Sequence, residues 1–504
     1  MVQLARKVLK NSIYNSSGVI VIGVGGLIFT IILARLLHPE LFGVYHLALA
    51  VAFLLLTFAD LGINGTVVRY VSHALGKKDE PMARSYFKYL LKFKISLTII
   101  FSLSLVVLAE PLAFHVFQKP ALFLPLEIVA IFLFLWSLLD FIDYTFTAFQ
   151  EFKYPTFRHL IYECARLALV PLFIFLGFSV CGALVGLCLS LLLALFVLFY
   201  FLLKKHHFLL KGATVRIDRR RILRFLGYLT FGSIAGVVFA YVDSIMLGIF
   251  MAVEYVGFYR AGYNIVFAFA GLITITNVLF PVFTQIEGAE LGNAFKKVFK
   301  YSSLLALPGA VGLIFMAEPI VKVVYGEEYL PAVLPMCVLS LLIPAAPLNF
   351  FGVLFNAKEK PEYPARLIIV SSILNVILNY FLISRFGIMG AAIATVISRY
   401  FNFIALGILS KKVLGISPDL DSIGKPLFSS LVMLGFLYFI PHPTTILAGI
   451  GGIIVAAIIY IFVMFLLRGI EKDDIKYLSV VVGQEERLMR AYNLMNSKLQ
   501  RGRK

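Results

Sequence analysis

Charged residues are scarce in this chain of 504 residues. Asp, Glu, Lys and Arg make up 14% of it, whereas an ordinary soluble domain contains about 25%. Hydrophobic residues make up 61%, and the mean hydropathy is +0.95. Apolar blocks recur from Ser12 to Leu467, and the only long polar stretch is the C-terminal tail, which excludes a string of soluble domains. The composition therefore predicts one polytopic, all-α membrane protein.

Cysteine is rare as well, with four residues in the whole chain. All four lie inside apolar segments, at spacings that fit neither a metal site nor a disulfide framework. Cysteine in such a setting behaves as a small hydrophobic side chain. We therefore predict four buried hydrophobic residues, namely Cys164, Cys181, Cys188 and Cys337.

Apolar segments of about 20 residues, the length that crosses a bilayer, occur fourteen times. The first follows Arg6, Lys7 and Lys10, but it is too long for a signal peptide and has no small-residue cleavage pattern, so we interpret it as a retained span. The predicted spans cover approximately residues 12–34, 42–70, 86–108, 122–149, 158–177, 181–203, 224–250, 256–284, 298–317, 331–356, 365–384, 388–410, 424–441 and 443–467.

The positions of the basic residues give an independent prediction of topology. If the N-terminus is cytoplasmic, the cytoplasmic segments and adjoining helix ends hold 37 of the 45 Lys and Arg residues, and the outer segments hold five. Basic residues mark the cytoplasmic side of membrane proteins, so an even number of spans with both termini cytoplasmic is expected. The five outer residues are Arg35, Lys119, Arg260, Lys322 and Arg385, and three more, Arg69, Arg166 and Arg399, lie within spans.

Four short motifs recur in the same order in the two halves of the chain, at offsets of 208 to 214 residues. Repeats at one offset are hard to attribute to chance. The offset contains six spans, so both halves keep the same membrane orientation and form parallel repeats. The matched pairs are Phe42–Tyr45 with Val256–Tyr259, Ala109–Leu112 with Ala317–Ile320, Tyr154–Pro155 with Tyr363–Pro364, and Gly182–Ala183 with Gly390–Ala391.

The repeat divides the chain into two six-helix lobes around a central cavity. We predict an N-terminal lobe at 1–203, a basic cytoplasmic linker at 204–223 and a C-terminal lobe at 224–410. Two appended spans at 411–467 and a basic cytoplasmic tail at 468–504 follow. The basic residues of the linker are interpreted as a topology anchor, with a regulatory or lipid-binding role as the alternative.

Two motifs near the start of the chain carry a family resemblance. The segment Ala34–Tyr45, followed by Asp60-Leu61-Gly62-Ile63, resembles the opening of the polysaccharide-biosynthesis flippases, which move lipid-linked oligosaccharides across membranes. The likeness extends through Leu467 and implies twelve helices in two lobes plus two more. The same superfamily includes the lipid II flippases and the multidrug and toxic compound extrusion transporters.

Ionisable residues inside the spans of the N-terminal lobe are candidates for mechanism, because charges in a bilayer are costly and usually face a cavity or a partner. Asp60 lies in span 2, and Asp140 and Asp143 lie three residues apart in span 4, on one helix face. These carboxylates either pair with cations of other helices or carry protons. Glu163 and Arg166 in span 5 are expected to pair with each other.

A second set of polar residues lies in the C-terminal lobe: Asp243 in span 7, Asn375 and Asn379 in span 11, and Thr395 in span 12. Their oxygen atoms, with low total charge, suit a sodium ion. The set resembles the sodium site of lipid II flippases, which implies a further ligand in the carbonyl of Ala391, but Asn379 replaces a second carboxylate. The alternative is ordinary interhelical hydrogen bonding.

Substrate chemistry predicts cations that face the space between the lobes. The phosphate or diphosphate of a lipid-linked sugar has to cross a low-dielectric barrier, and arginine offers a planar, permanently charged partner. Arg260 is the preferred candidate, and its equivalent in the repeat is His46. The other candidates are Arg35, Arg69 and Arg399.

The expected function is that of a flippase, which moves a polyprenyl phosphate or diphosphate sugar from the cytoplasmic to the outer leaflet by alternating access, with sodium or proton coupling. The alternative is a cation-coupled multidrug or metabolite antiporter, but residues 12–34 lack the carboxylate that such transporters use in span 1. A polymerase or ligase of lipid-linked sugars ranks last because the outer connections are short. We expect a monomer in the cell membrane whose partners are the lipid-linked oligosaccharide and membrane lipids, with no nucleic-acid partner and no cofactor other than a sodium ion.

Overall fold

The structure is a computed structural model of the whole chain. It consists of α-helices, short 3₁₀ and π turns and connecting loops, with no strand in any part that it describes. The described residues are 2–273, 283–284, 286–417, 421–441, 443, 445–470 and 474.

Sixteen α-helices occupy the described part of the chain. They are α1 Val2–Asp60, α2 Ile63–Gly76, α3 Glu80–Pro111, α4 Phe123–Ala148, α5 Lys153–Phe173, α6 Ser179–His206, α7 Arg219–Phe250, α8 Val253–Ile273, α9 Gly288–Phe315, α10 Ala317–Val324, α11 Val333–Ser340, α12 Phe350–Ala357, α13 Glu362–Phe386, α14 Ile388–Leu414, α15 Asp421–Tyr438 and α16 Ile446–Leu466.

Two backbone breaks lie near the start of the chain, one between the first two predicted spans and one inside the second. His38 in α1 has a φ of 58° and a ψ of 169°, and Pro39 follows it. Neither a left-handed residue nor a proline, which lacks an N–H, continues a helix. Leu61 and Gly62, both with positive φ, then separate α1 from α2. The predicted span 42–70 therefore lies on two helices.

Two predicted spans differ from the structure in the second half of the chain. The segment 331–356 is not one helix, because α11 ends at Ser340 and a 3₁₀ turn with Pro347 precedes α12. The predicted span 256–284 begins on α8, but its residues 274–282 lie outside the described part of the chain. In the first case prolines interrupt the hydrogen bonds of the helix. Hydropathy alone does not reveal such an interruption.

Eight helical stretches within the described residues are long and apolar enough to cross a membrane. Two of them, Val21–Gly76 and Lys153–Leu209, contain 56 and 57 residues. At about 1.5 Å per residue each exceeds twice the roughly 30 Å of the hydrocarbon core, and each contains a backbone break, at His38 and at Gly177–Ser179. The prediction of an all-α, polytopic membrane protein is confirmed.

Contacts between residues divide the chain into two compact units. The first contains the chain up to Ala268 together with Val324–Leu339 and Glu362–Asn402. The second contains Phe269–Val323, Ser340–Pro361 and the chain from Phe403 onward. Within the second unit, buried side chains of α9, α15 and α16 form an apolar cluster that includes Phe315, Met433 and Tyr460. The lobe boundaries were derived from repeated sequence motifs and not from contacts, so they stay predictions.

The prediction that all four cysteines are buried is wrong. Cys188 is buried and Cys181 and Cys337 are half-buried, but Cys164 is exposed on α5. A membrane-spanning helix presents apolar residues to lipid as well as to its neighbours. An apolar segment therefore does not imply that a cysteine within it is covered by protein.

Candidate functional site

The two repeat motifs that contain Gly43 and Gly257 contact each other in the first unit. A Cβ atom on Gly43 would lie 3.2 Å from the amide nitrogen of Gly257 and would overlap the carbonyl oxygen of Val253. A Cβ on Gly257 would lie 3.2 Å from the amide nitrogen of Gly43 and would overlap the carbonyl of Pro39. The helices α1 and α8 therefore meet backbone to backbone, which only glycine allows.

A cavity of about 220 Å³ lies beside this contact, and we call it the Arg260 cavity. Its walls come from helices α1, α4, α5, α6, α7 and α8. It combines cationic, polar and aromatic side chains, which sets it apart from an apolar packing defect. The lining residues are Phe29, Thr30, Leu33, Tyr45, His46, Leu49, Phe53, Phe132, Trp136, Tyr162, Arg166, Leu187, Tyr241, Arg260 and Asn264.

Arg260 of α8 is a buried cation with neutral neighbours. Only 7% of its surface is exposed. Its Nε donates to Ser244 Oγ at 2.5 Å and its Nη2 donates to the carbonyl of Ala240 at 3.1 Å. The guanidinium carbon lies 5.1 Å and 5.4 Å from the ring centres of Tyr241 and Tyr263. Among the described residues no carboxylate is within ion-pair distance, so the charge of Arg260 is available to an anion.

His46 of α1, the repeat equivalent of Arg260, lines the same cavity. Its Nε2 atom is buried and has no hydrogen-bond partner. The imidazole ring packs edge-on against Phe42 and Tyr45, at centre distances of 4.4 Å and 5.3 Å. Buried polar atoms are usually hydrogen-bonded, so this nitrogen is available to a ligand.

Arg166 is a second arginine of the cavity, and the sequence predicted it only as the partner of Glu163. As expected, it pairs with Glu163, to which Nε and Nη2 donate at 2.8 Å and 2.5 Å. Its guanidinium also stacks on Phe29 and Tyr162, both cavity residues. The sequence of span 5 predicted this ion pair, but it does not indicate which side of the helix faces a cavity.

Aromatic rings form one wall of the Arg260 cavity. Phe53 stacks on Tyr241 at 5.1 Å, and Trp136 contacts Phe53 and Tyr162 edge-on at 5.5 Å and 6.0 Å. Trp136 is the single tryptophan of the chain. Its uniqueness was the one sequence signal for this wall, since the abundant Phe and Tyr elsewhere fit lipid contact and packing.

The other three predicted arginines do not line this cavity. Arg35 is exposed, and its Nε donates to the carbonyl of Val324 at 2.9 Å. Arg69 is exposed and stacks on Phe225, with 4.4 Å to the ring centre. Arg399 is half-buried and stacks on Phe239 at 4.1 Å. Their roles in substrate binding stay predictions without a position in the Arg260 cavity.

The residues predicted for an ion site come together around Asp243, and we call them the Asp243 cluster. Asn379 Nδ2 donates to Asp243 Oδ1 at 2.6 Å. Thr395 Oγ1 and Tyr259 OH both donate to Asp243 Oδ2, each at 2.6 Å. Asn379 Nδ2 also lies 3.2 Å from Asn375 Oδ1. Tyr259 was not expected here, although it belongs to the repeated motif.

As the structure has it, the Asp243 cluster is a network of hydrogen bonds between helices, and its atoms would suit a small cation after one amide turns. Asn379 Oδ1 and Asn375 Nδ2 are buried without hydrogen-bond partners. Rotation of the Asn379 amide by half a turn would exchange its oxygen and nitrogen and turn an oxygen towards the Asp243 carboxylate. One carboxylate, two amide oxygens and one hydroxyl form an oxygen set of low charge, as a hard monovalent cation requires. Ala391 is buried in α14, one turn before Thr395.

The carboxylates of the N-terminal spans divide into paired and unpaired groups. Asp60 lies 2.6 Å from the Nζ of Lys94, which is 1% exposed. Asp143 lies 2.5 Å from an Nη of Arg158, which is 5% exposed. Both cations belong to helix ends that the charge pattern assigned to topology, so their buried pairing was missed.

Asp140 has a different partner from Asp143, although both lie on α4. Its Oδ2 accepts a hydrogen bond from the indole Nε1 of Trp136 at 3.2 Å. Among the described residues no cation lies within ion-pair distance of Asp140. Because Trp136 also lines the Arg260 cavity, Asp140 is one hydrogen bond away from the cavity wall.

Two protein-family models match the chain. A model described as "Polysaccharide biosynthesis protein" matches residues 8–287, and a model described as "Lipid II flippase MurJ" matches residues 269–470. Together they cover both predicted lobes and the two appended spans.

Individual proteins show the same similarity. The chain is 27% identical over 228 residues to the "Probable low-salt glycan biosynthesis flippase Agl15" of Haloferax volcanii, which covers 44% of this chain and about half, 48%, of that relative. It is 23% identical to a "Putative O-antigen transporter" of Shigella flexneri, over 77% of this chain and 94% of that protein. The structure resembles that of "Lipid II flippase MurJ, inward closed conformation", with a TM-score of 0.73, 15% identity and coverage of 91% and 99% of the two chains.

Proposed function

Because the chain belongs to the polysaccharide biosynthesis protein family, we propose that it is a flippase that carries a lipid-linked oligosaccharide from the cytoplasmic to the outer leaflet. It is a multi-pass protein of the cell membrane, and its relatives are named flippases and transporters rather than enzymes. One observation carries the proposal: Arg260 is a buried cation in a polar cavity with no carboxylate partner in the described chain.

The Arg260 cavity suits the phosphate end of such a substrate. A buried cation without a counter-ion is unfavourable unless an anion joins it, and guanidinium groups bind phosphate through paired hydrogen bonds. Arg260, His46 and the second cation Arg166 face the same space. A neutral sugar or a cationic drug would not compensate this charge, which favours a phosphate-bearing substrate.

The aromatic wall suits the sugar end. Rings of Phe53, Trp136 and Tyr241 are large, rigid apolar surfaces that can pack against sugar rings, and the hydroxyl of Tyr241 can bond a sugar hydroxyl. The cavity volume of about 220 Å³ lies below the range of about 300–1,000 Å³ that is typical of pockets for drug-sized ligands. That space holds a phosphate group but not an oligosaccharide, so the cavity has to widen during transport.

Widening of the cavity requires separation of helices that are now in contact. Near the Gly43–Gly257 contact, Lys119 Nζ donates to the carbonyl of Gly248 at 2.5 Å and Tyr329 OH donates to that of Ala34 at 3.0 Å. These bonds join parts of the two repeats on the side that the charge pattern assigns to the outside. In the proposed cycle they close this side while the cytoplasmic side loads, and they break when the substrate is released outward.

The proposed topology has fourteen spans, with both termini cytoplasmic. It is supported by the asymmetry of 37 against five basic residues. Most predicted spans in the described chain are helical, whereas 331–356 is interrupted between α11 and α12. Lobes at 1–203 and 224–410, joined by the linker at 204–223 and followed by spans at 411–467 and the tail at 468–504, are part of the proposal. The protein is proposed to act as a monomer.

Ion coupling is proposed at the Asp243 cluster. A sodium ion would be held by Asp243, Asn375, Asn379 and Thr395, with the carbonyl of Ala391. Its positive charge would stabilise one arrangement of α7, α13 and α14. The unpartnered oxygen of Asn379 supports this assignment. Asp140 is the alternative coupling group, because a carboxylate without a cation partner can exchange a proton. Asp60 and Asp143 are paired, which favours a structural role for both.

The antiporter alternative has less support. Residues 12–34 contain no carboxylate, and the cavity exposes arginine rather than the acidic groups that attract cationic drugs. No observation favours a polymerase or ligase.

An assay of lipid movement between the leaflets of liposomes tests the proposal. The full chain, reconstituted in liposomes, should move a fluorescent polyprenyl diphosphate sugar between leaflets, which a membrane-impermeant quencher or lectin detects. The matched variants are Arg260→Ala in the cavity and Arg385→Ala, which removes an exposed arginine from α13. Loss of transport in the first but not the second is expected. Equal transport by the protein and by Arg260→Ala would overturn the assignment.

A further inference from the structure

The linker between α6 and α7 is a structured segment that is docked on α3. Arg84 Nε donates to the carbonyl of Phe208 at 2.5 Å, and its Nη1 donates to that of Ala213 at 2.7 Å. The amide of Val215 donates to Ser85 Oγ at 2.8 Å. Because these bonds hold the backbone of the linker at several points, the surface between it and α3 is preformed.

This surface is a groove of about 730 Å³, which we call the linker groove. Four cations line it, Lys88 and Lys92 from α3 and Arg216 and Arg219 from the linker and the start of α7. The one acid in its wall, Asp218, accepts a hydrogen bond from the backbone amide of Arg221 and so caps α7. Within the part of the chain that the structure describes, no carboxylate pairs with the four cations.

Two of the four cations are also prearranged by contacts with their neighbours. Lys88 Nζ lies 3.4 Å from the carbonyl of Gly212. The guanidinium of Arg219 lies over the ring of Tyr89, 5.6 Å from its centre. Ordered cations lose less conformational freedom when they bind an anion. A plain topology anchor would need the charges but not the groove or these contacts.

The position of the groove relative to the apolar parts of two helices indicates which kind of ligand occupies it. On α3, Lys92 precedes Ile95, which begins a run without charged residues to Ala109. On α7, Arg219 precedes the uncharged run that begins at Phe225. At about 1.5 Å per residue, these cations lie roughly 4.5 Å and 9 Å from the apolar parts of their helices. That distance matches the headgroup layer of the bilayer.

We propose that the linker groove binds a phosphate-bearing lipid headgroup. Four unpaired cations and a single capped acid favour a phosphate or diphosphate, and the depth favours one attached to a lipid. Two sources share this chemistry, an anionic membrane phospholipid and the lipid-linked sugar itself. Binding of a membrane phospholipid by the groove does not depend on the proposed function. Binding of the lipid-linked sugar rests on that function. The groove is separate from the Arg260 cavity, with which it shares no lining residue.

The test measures lipid binding by the purified full-length protein in detergent. Short-chain phosphatidylglycerol is titrated by microscale thermophoresis, with short-chain phosphatidylcholine, whose headgroup has no net charge, as the comparison. Two groove variants, Lys88→Gln with Lys92→Gln and Arg216→Gln with Arg219→Gln, are compared with Lys411→Gln and Lys412→Gln, which remove two exposed lysines outside the groove. Melting temperatures without lipid show whether each variant is folded.

We expect phosphatidylglycerol to bind at least ten times more tightly than phosphatidylcholine, and each groove pair to weaken it by tenfold or more, with the control unchanged. A second arm uses a short-chain prenyl diphosphate as competitor. Because both sources carry phosphate, they are distinguished by relative affinity, with short-chain phosphatidic acid as a second competitor. Displacement by the prenyl diphosphate at a concentration at least tenfold lower than phosphatidic acid requires favours the lipid-linked sugar, and displacement at an equal or higher concentration favours a phospholipid. Unchanged affinity in both folded groove pairs would overturn the proposal. Arg260→Ala is expected to bind phosphatidylglycerol normally, which separates this test from that of transport.

Discussion

Gly43 and Gly257 lie 214 positions apart in the chain and make a reciprocal backbone contact. A Cβ on either residue would lie 3.2 Å from the amide nitrogen of the other. Each belongs to the same motif of its own repeat, so the contact is the one expected where two equivalent helices cross at a pseudo-symmetry axis. No larger residue allows this approach without movement of both backbones.

Replacement of either glycine should therefore open the contact. Gly43→Ala and Gly257→Ala place a methyl group onto the carbonyl of Val253 or Pro39, and the helices have to separate to accommodate it. With spin labels at Glu40 and Ala252 in a cysteine-free background, dipolar broadening of continuous-wave spectra, which reports short separations, should show longer distances in both variants. Transport should fall, because the closed state of the outer side is lost.

Gly23→Ala is the control for that experiment. It makes the same chemical change on the same helix, but a Cβ on Gly23 meets nothing within 4 Å. Alanine there should leave the distances unchanged and raise helix stability slightly, by about 0.5–1 kcal/mol. An identical distance distribution in Gly43→Ala would mean that the contact is not needed for closure.

Arg260 should contribute to substrate binding through both its charge and the planar shape of its guanidinium group. Hydrogen bonds to charged groups contribute about 1.5–3 kcal/mol, so Arg260→Ala should reduce affinity for the phosphate headgroup roughly 10- to 100-fold. Arg260→Lys keeps the charge but not the planar geometry, and should recover part of this loss. Headgroup affinity, measured by calorimetry with a short-chain prenyl diphosphate, checks the order of the three proteins.

The Asp60–Lys94 pair should respond asymmetrically to mutation. Lys94 is 1% exposed while the side chain of Asp60 is 24% exposed. Asp60→Asn leaves a buried, unpaired ammonium, and should cost about 3–5 kcal/mol. Lys94→Met leaves a carboxylate that water reaches, and should cost less.

A double-mutant cycle completes the test of this pair. Asp60→Asn with Lys94→Met should restore part of the stability lost in Asp60→Asn, since neither charge then remains without its partner. Thermal unfolding in detergent measures all four proteins. Additive losses in the double variant would show that the two groups do not interact.

Sodium should raise the melting temperature of the protein if the Asp243 cluster binds it. A ligand that binds only the folded state stabilises it as its concentration rises above its Kd. We expect a shift with sodium chloride over choline chloride at equal ionic strength, and loss of this difference in Asp243→Asn. Glu110→Gln removes an exposed carboxylate and should keep it. A wild-type protein that melts at the same temperature in both salts would contradict the ion site.

The membrane class and the repeat could be predicted from the sequence, because both are local properties. Whether a segment enters the bilayer depends mainly on its own hydrophobicity, and the motif around Gly43 has its match at Gly257. The breaks at His38 and around Pro347 were less visible. They depend on single backbone conformations within apolar runs, which hydropathy averages over.

The members of the Asp243 cluster were also identified from the sequence, since polar residues are rare in these spans and few combinations existed. Tyr259 was missed because tyrosines are common throughout the chain, which contains 24 of them. Lys94 and Arg158 were assigned to topology because they lie towards the cytoplasmic ends of their predicted spans. Their pairing with Asp60 and Asp143 involves other helices.

The sequence by itself determined the class of the protein, its repeated architecture and the short list of buried polar residues. Only the tertiary structure decided that Arg260, His46 and Arg166 share one cavity while Arg35, Arg69 and Arg399 do not. Hydrophobicity specifies that a helix crosses the membrane, but in a bilayer it does not specify how the helix is rotated about its axis. That rotation is set by packing and hydrogen bonds between helices, and it decides which arginine faces the cavity.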